Sequence, residues 1–122
     1  MKIASFLEKH SAIVKVSYPG LTSHRQHIRA LELFDGFGGM LSFELKGGLM
    51  AANEFMKKTT IPIKAPNLGG VETLLTLPST TSHAGMRPEE RKALGIIDGL
   101  IRMSVGIEAT EDIIEDFGNA LR

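Results

Sequence analysis

Arg102 is the residue with the clearest capacity for chemistry in this sequence, and it sits in the stretch Leu100 to Glu108, LIRMSVGIE. The stretch alternates with period two: Ile101, Met103 and Val105 point one way, and Leu100, Arg102 and Ser104 the other. That is a strand with one apolar face and a guanidinium near the middle of the opposite face. A charge held there needs a partner, because burying it unpaired is costly. One candidate is a neighbouring carboxylate, which would make a structural ion pair. The other is the carboxylate of a bound molecule, since arginine presents a planar fork of donors that matches it. On this stretch alone the ion pair is the leading reading.

Other chemistry-bearing residues are sparse. His24 and His27 are three apart on an expected helix and could meet at a metal, but no third ligand lies near them, so solvated helix residues are favoured. The run GFGG at Gly36 to Gly39 has the composition of a phosphate loop but precedes a strand instead of opening a helix. A turn allowing close backbone approach is the better reading. His83 lies alone in the polar loop STTSHAGM and reads as a hydrogen-bonded structural group. With no cysteine there is neither disulfide nor thiolate chemistry, which fits a reducing cytoplasm. Acidic and basic residues balance at 14 each, so neither nucleic acid nor an anionic membrane is an expected partner. No apolar run approaches the roughly 20 residues that span a bilayer. The start, MKIASFLEKH, lacks a signal peptide's cleavage site.

Several elements must position these groups. Met1 to His10 reads as a helix with Ile3, Phe6, Leu7 and His10 on one side. No capping residue precedes it, so the chain is expected to begin inside a helix, as a truncated domain would. Ile13 to Tyr18 is a strand closed by Pro19-Gly20. Ser23 can cap a helix over about His24 to Leu33, where Ile28, Leu31 and His24 share a face. Met40 to Leu45 is a strand, and a helix follows to about Lys58 with Leu49, Ala52, Phe55 and Met56 inward. Ile61 to Lys64 is a short strand broken by Pro62 and Pro66, hence an edge strand or an irregular segment. The segment Ala65 to Pro78, APNLGGVETLLTLP, is restrained by Pro66 and freed by Gly69-Gly70. It is either an ordinary strand connection or a loop that carries function. Pro88 opens a short helix that Gly95 closes. Thr110 can cap a last helix whose stripe is Ile113, Ile114, Phe117, Ala120 and Leu121, leaving Glu115 and Asp116 solvated. The mixture, at this length, predicts a single α+β domain over 1–122, with a small, mainly antiparallel sheet and helices on one face.

Taken in order, the blocks KIASFLEKH, VKVSYPGLTSHRQH, GFGGMLSFELKGG, NLGGVETL, PSTTSHAGM and PEERKALGIIDGLIRMSVGIEATEDIIEDF cover nearly the whole chain. Together they resemble the C-terminal domain of the pyridoxal-phosphate (PLP) dependent enzymes of cystathionine and methionine metabolism. That group has a type I PLP fold and includes cystathionine gamma-synthase, the cystathionine lyases, methionine gamma-lyase and O-acetylhomoserine sulfhydrylase. The resemblance implies that Arg102 binds the substrate's alpha-carboxylate. It places Asn67 where the family has a serine near the cofactor lysine and the substrate carboxylate, a departure in which the sulfhydrylase branch is similar by carrying an Asn there. It also places Leu68 as a wall of the substrate pocket. Glu72 and His83 fall at positions read as bracing the loop beneath the arginine.

In the family a larger upstream domain supplies the cofactor lysine and most cofactor contacts, and none of this chain's eight lysines lies in that context. The resemblance therefore implies the carboxylate-binding part of an active site for beta- or gamma-elimination or replacement on sulfur-containing or O-acylated amino acids. No metal and no catalytic group of its own are expected, and PLP is not expected to bind this chain alone. A PLP-binding large domain is an implied partner, and an exposed Ile3, Phe6 and Leu7 face would favour self-association. The other function class is a non-catalytic remnant or interaction module that kept the fold. A retained NLGG block and LIRMSVG arginine favour the enzyme part.

Overall fold

Strict alternation in two central strands sets the architecture. In β2 (Met40–Leu45) the residues Leu41, Phe43 and Leu45 are buried, and in β5 (Leu100–Ser104) Ile101 and Met103 are fully enclosed. The two strands pair antiparallel with Leu41 opposite Met103 and Phe43 opposite Ile101, so their apolar faces coincide. The computed structural model describes all residues, 1–122. Its sheet adds β1 (Ile13–Ser17), β3 (Ile63–Lys64) and β4 (Leu74–Thr76) in the order β1-β2-β5-β4-β3. Every pairing is antiparallel except β3 with β4. The expected α+β class is the observed one.

Three helices cover the apolar face: α1 (Lys2–Lys9), α3 (Gly48–Lys58) and α5 (Thr110–Ala120). Phe43 of the sheet, Phe55 of α3 and Phe117 of α5 form the centre. Phe55 lies 5.1 Å from Phe117 and 5.6 Å from Phe43, edge to face in both cases. The two remaining helices, α2 (His27–Leu33) and α4 (Pro88–Ala93), bury only Ala30 and Arg91 respectively. Tyr18 donates its hydroxyl to the Gly38 carbonyl at 2.8 Å, and Gly38 has φ +73°. The GFGG run is thus a turn anchored on the strand-end tyrosine, as its context predicts.

Three expectations need correction. Ile3 and Leu7 of α1 are buried and Phe6 packs beside the core, so α1 is an integral layer over β1 and α5 and leaves no wet apolar face. α2 starts at His27, and Ser23 donates its hydroxyl to Glu8 instead of capping it. Ile28 and Leu31 are exposed, because no layer of the fold stands opposite that helix to receive them. The last correction is Asp116, which is buried on α5 and not solvated.

Its carboxylate accepts the Thr60 amide at 3.0 Å, the Thr60 hydroxyl at 2.7 Å and the Ile61 amide at 3.1 Å. It thereby satisfies the chain where α3 ends and the approach to β3 begins. Removing it leaves both amides and the Thr60 hydroxyl without this acceptor. Asp116→Ala should cost about 2–3 kcal/mol in urea unfolding, whereas its exposed neighbour in Glu115→Ala should stay within about 0.5 kcal/mol of the parent. Equal effects for the two would contradict this account.

Candidate functional site

On the sheet face away from the helices, Arg102 is half-buried between Ser42 of β2 and Thr76 of β4. Its Nη2 donates to the carbonyls of Pro66 at 2.5 Å and Asn67 at 3.2 Å. Neither Nε nor Nη1 has an intramolecular partner, and no carboxylate pairs with the side chain. Asp98, the acid nearest in sequence, is engaged by Arg91 at 2.6 Å. The structural ion pair is therefore absent. A guanidinium has five N–H donors, and here the Nε–H and both protons of Nη1 are unused.

The segment that holds Arg102 crosses the same face. Asn67 and Leu68 are exposed, and the Asn67 carboxamide makes no hydrogen bond of its own. Asn67 and Arg102 thus lie together, as expected, joined through the Asn67 backbone. Gly69 takes φ +75° and donates its amide to Ser104 Oγ at 2.9 Å. That conformation favours glycine and lets the chain turn back over the strand.

Below the loop, Glu108 accepts the Thr73 amide and the Thr73 hydroxyl, both at 2.7 Å. Thr73 Oγ1 in turn accepts the Gly106 amide at 2.9 Å, and the Ile107 amide reaches the Val71 carbonyl at 2.9 Å. A Cβ on Gly106 would stand 2.3 Å from that carbonyl, so only glycine fits there. Burial alone would push the Glu108 carboxyl up. The hydrogen bonds from Thr73 and from its own backbone outweigh that and hold it below 4.5.

The brace is not the expected one. Glu72 is exposed and makes no side-chain hydrogen bond, and the His83 ring is engaged by its neighbour Ser82 at 2.8 Å. Sequence reasoning passed over Thr73, Ser104, Gly106 and Glu108. Only Ser104 carried a signal, by sharing Arg102's face in the period-two pattern. His24 and His27 are likewise structural: His24 Nδ1 accepts the Gln26 amide, and His27 Nδ1 meets the Pro19 carbonyl at 2.7 Å. No group of three or more histidines and acids is placed to hold a metal. No helix is long and apolar enough to cross a membrane.

The family model for the Cys/Met metabolism PLP-dependent enzyme matches residues 1–122. The chain belongs to that family. It is 45% identical to a cystathionine gamma-lyase of Dictyostelium discoideum over 119 residues, 98% of this chain and 31% of that protein. To a cystathionine beta-lyase of Lactococcus lactis subsp. cremoris it is 47% identical over 120 residues, again 98% of this chain and 31% of the relative. The crystal structure of cystathionine gamma synthase from Xanthomonas oryzae pv. oryzae in complex with cystathionine superposes with a TM-score of 0.93 at 43% identity, over 98% of this chain and 31% of that one. The fold is thus that of a domain of a type I PLP enzyme, and the chain spans about a third of the length of these relatives.

The residues present do not by themselves fit the family's cofactor. All eight lysines are solvent-exposed, so none is withdrawn from water in the way an activated amine needs. What this family member does contain is a pre-set guanidinium, an unengaged amide beside it and a latch that fixes their loop.

The latch gives a pH signature. A carboxyl whose pKa is lowered by folding contributes stability that is full above its unfolded value and is lost as pH falls through the folded value. Wild type and Glu108→Gln should therefore differ clearly in unfolding free energy at neutral pH, and the gap should close on acidification below pH 4.5. A gap independent of pH would contradict the role given to the Glu108 charge.

Proposed function

We propose that residues 1–122 form the substrate-carboxylate-binding domain of a PLP-dependent trans-sulfuration enzyme, with Arg102 as the clamp, Asn67 as a second donor and Leu68 as a wall of the pocket. The observation that carries the reading is a half-buried arginine with no acid partner, held by two backbone carbonyls and with Nε and Nη1 free. The carbonyls fix the guanidinium before any ligand arrives, which reduces the ordering that binding must impose. A carboxylate taking the end-on fork replaces the longer of the two contacts, that to the Asn67 carbonyl at 3.2 Å, as partner of one Nη2 proton. The released Asn67 segment then brings its carboxamide N–H to the same carboxylate. Together they fix the orientation of the alpha carbon, and orientation of this kind is worth several orders of magnitude in rate.

The electron-sink chemistry belongs to PLP, and a PLP-binding domain is the proposed partner across the open face. The relatives' reactions, as gamma-lyase, beta-lyase and gamma-synthase, support elimination or replacement at the beta or gamma carbon of a sulfur-containing or O-acylated amino acid. Self-association remains part of the proposal, but on exposed Ile28, Leu31 and Phe34 in place of α1. The competing reading is a non-catalytic module that keeps the fold. The free donors and missing acid partner of Arg102 speak against it, because a module without a ligand gains nothing from a half-buried charge lacking a counter-charge.

The test places this chain in the position of the matching segment of the Lactococcus lactis beta-lyase. Arg102→Ala should raise KM for the amino acid about 10- to 100-fold, the value of a charge-assisted hydrogen-bonded pair. It should also abolish the preference for the free acid over its carboxamide. A variant that still prefers the acid would overturn the reading.

A further inference from the structure

The segment from Pro66 to Gly70 is tied down on both sides of the site. Upstream, the Ala65 amide bonds the Leu75 carbonyl at 3.1 Å, and downstream the Val71 carbonyl accepts the Ile107 amide at 2.9 Å. Within the segment only three hydrogen bonds exist. In two of them Arg102 Nη2 donates to the carbonyls of Pro66 and Asn67, and in the third the Gly69 amide donates to Ser104 Oγ. Arg102 is the group whose orientation matters, so it cannot also be the fixed point that orients it. Ser104 is the remaining anchor.

From this arrangement we infer that Ser104 is a positioning residue for the Arg102 guanidinium, acting through the Gly69 amide. Ser104 is 3% exposed and stands between Leu74 and Met40 in the sheet register. A hydroxyl among such neighbours is unfavourable unless paired, and its partner is the Gly69 amide at 2.9 Å. Along β5 Arg102 and Ser104 are two residues apart on one face, roughly 6.6 Å. In the loop the contacted residues, Asn67 and Gly69, are also two apart. Arg102 and Ser104 of the strand thus hold Asn67 and Gly69 of the loop respectively. The serine contact sets how far the Pro66 and Asn67 carbonyls stand from the guanidinium. Loss of the serine oxygen leaves the loop free to move with Arg102, and the guanidinium's end-on fork loses its fixed direction.

The inference rests on the carboxylate-binding reading of Arg102, so both are tested side by side. In the 122-residue chain, Ser104→Ala should speed amide hydrogen exchange at Gly69 while the Ile101 and Met103 amides keep their protection. In the beta-lyase scaffold the same variant should raise KM for the free amino acid about five-fold, the value of one neutral hydrogen bond, with kcat little changed. Ser104→Thr, which keeps the oxygen, should restore both readouts. An unchanged KM, or a fall in kcat at constant KM, overturns the positioning role. If Arg102→Ala abolishes the preference for the acid and Ser104→Ala leaves KM alone, only the serine inference falls. If Arg102→Ala keeps that preference, the carboxylate reading falls and takes the serine inference with it.

Discussion

The grip of two backbone carbonyls on Arg102 is the interaction from which the rest of the site follows. Carbonyl oxygens carry only partial negative charge, so they orient a guanidinium without neutralising it. A carboxylate in their place would have ended the arginine's availability, as Asp98 does for Arg91 at 2.6 Å. Arg91 and Arg102 illustrate both outcomes. Arg91 is 8% exposed and committed, whereas Arg102 is half-buried and has its Nε and Nη1 donors unspent.

Holding the carbonyls in place requires the whole fold. β5 must be straight and central, which its pairing with β2 and β4 ensures. Its apolar face must be locked, which Ile101 and Met103 achieve against α3 and the aromatic cluster. The loop must return over the polar face at a defined height, and Glu108, Thr73 and Gly106 set its downstream end. Burial on one face and hydrogen bonding on the other thus act on the same strand. The fold's stability and the site's geometry are coupled through β5.

Much of this was legible in the sequence because it is periodic. The alternation of LIRMSVG placed Arg102 opposite Ile101 and Met103, and MLSFEL placed Phe43 in the core. Context also disposed of the glycine run, which opens no helix. The failures have a common cause in interactions between residues far apart in the chain. Asp116 lies beside the Phe117 stripe and reads as solvated, and only the return of Thr60 to α5 shows why it is buried. Glu108 and Thr73 are 35 residues apart, so no local pattern joins them. Ile28 and Leu31 have helical spacing, but the sequence does not say that no layer faces them. α1 has no side-chain cap and still packs against β1 and α5, because capping and packing are independent.

The central claim is that the end-on fork of Arg102 receives a carboxylate in place of the Asn67 carbonyl, and a structure with one bound tests it most directly. The measurement is a crystal structure of the domain in the beta-lyase scaffold, soaked with glycine as the smallest non-reacting amino acid of the right chemistry. The account predicts the glycine carboxylate on Arg102, the contact to the Pro66 carbonyl kept and that to the Asn67 carbonyl given up. Glycine bound with its carboxylate elsewhere, while Arg102 still holds both carbonyls, would contradict it.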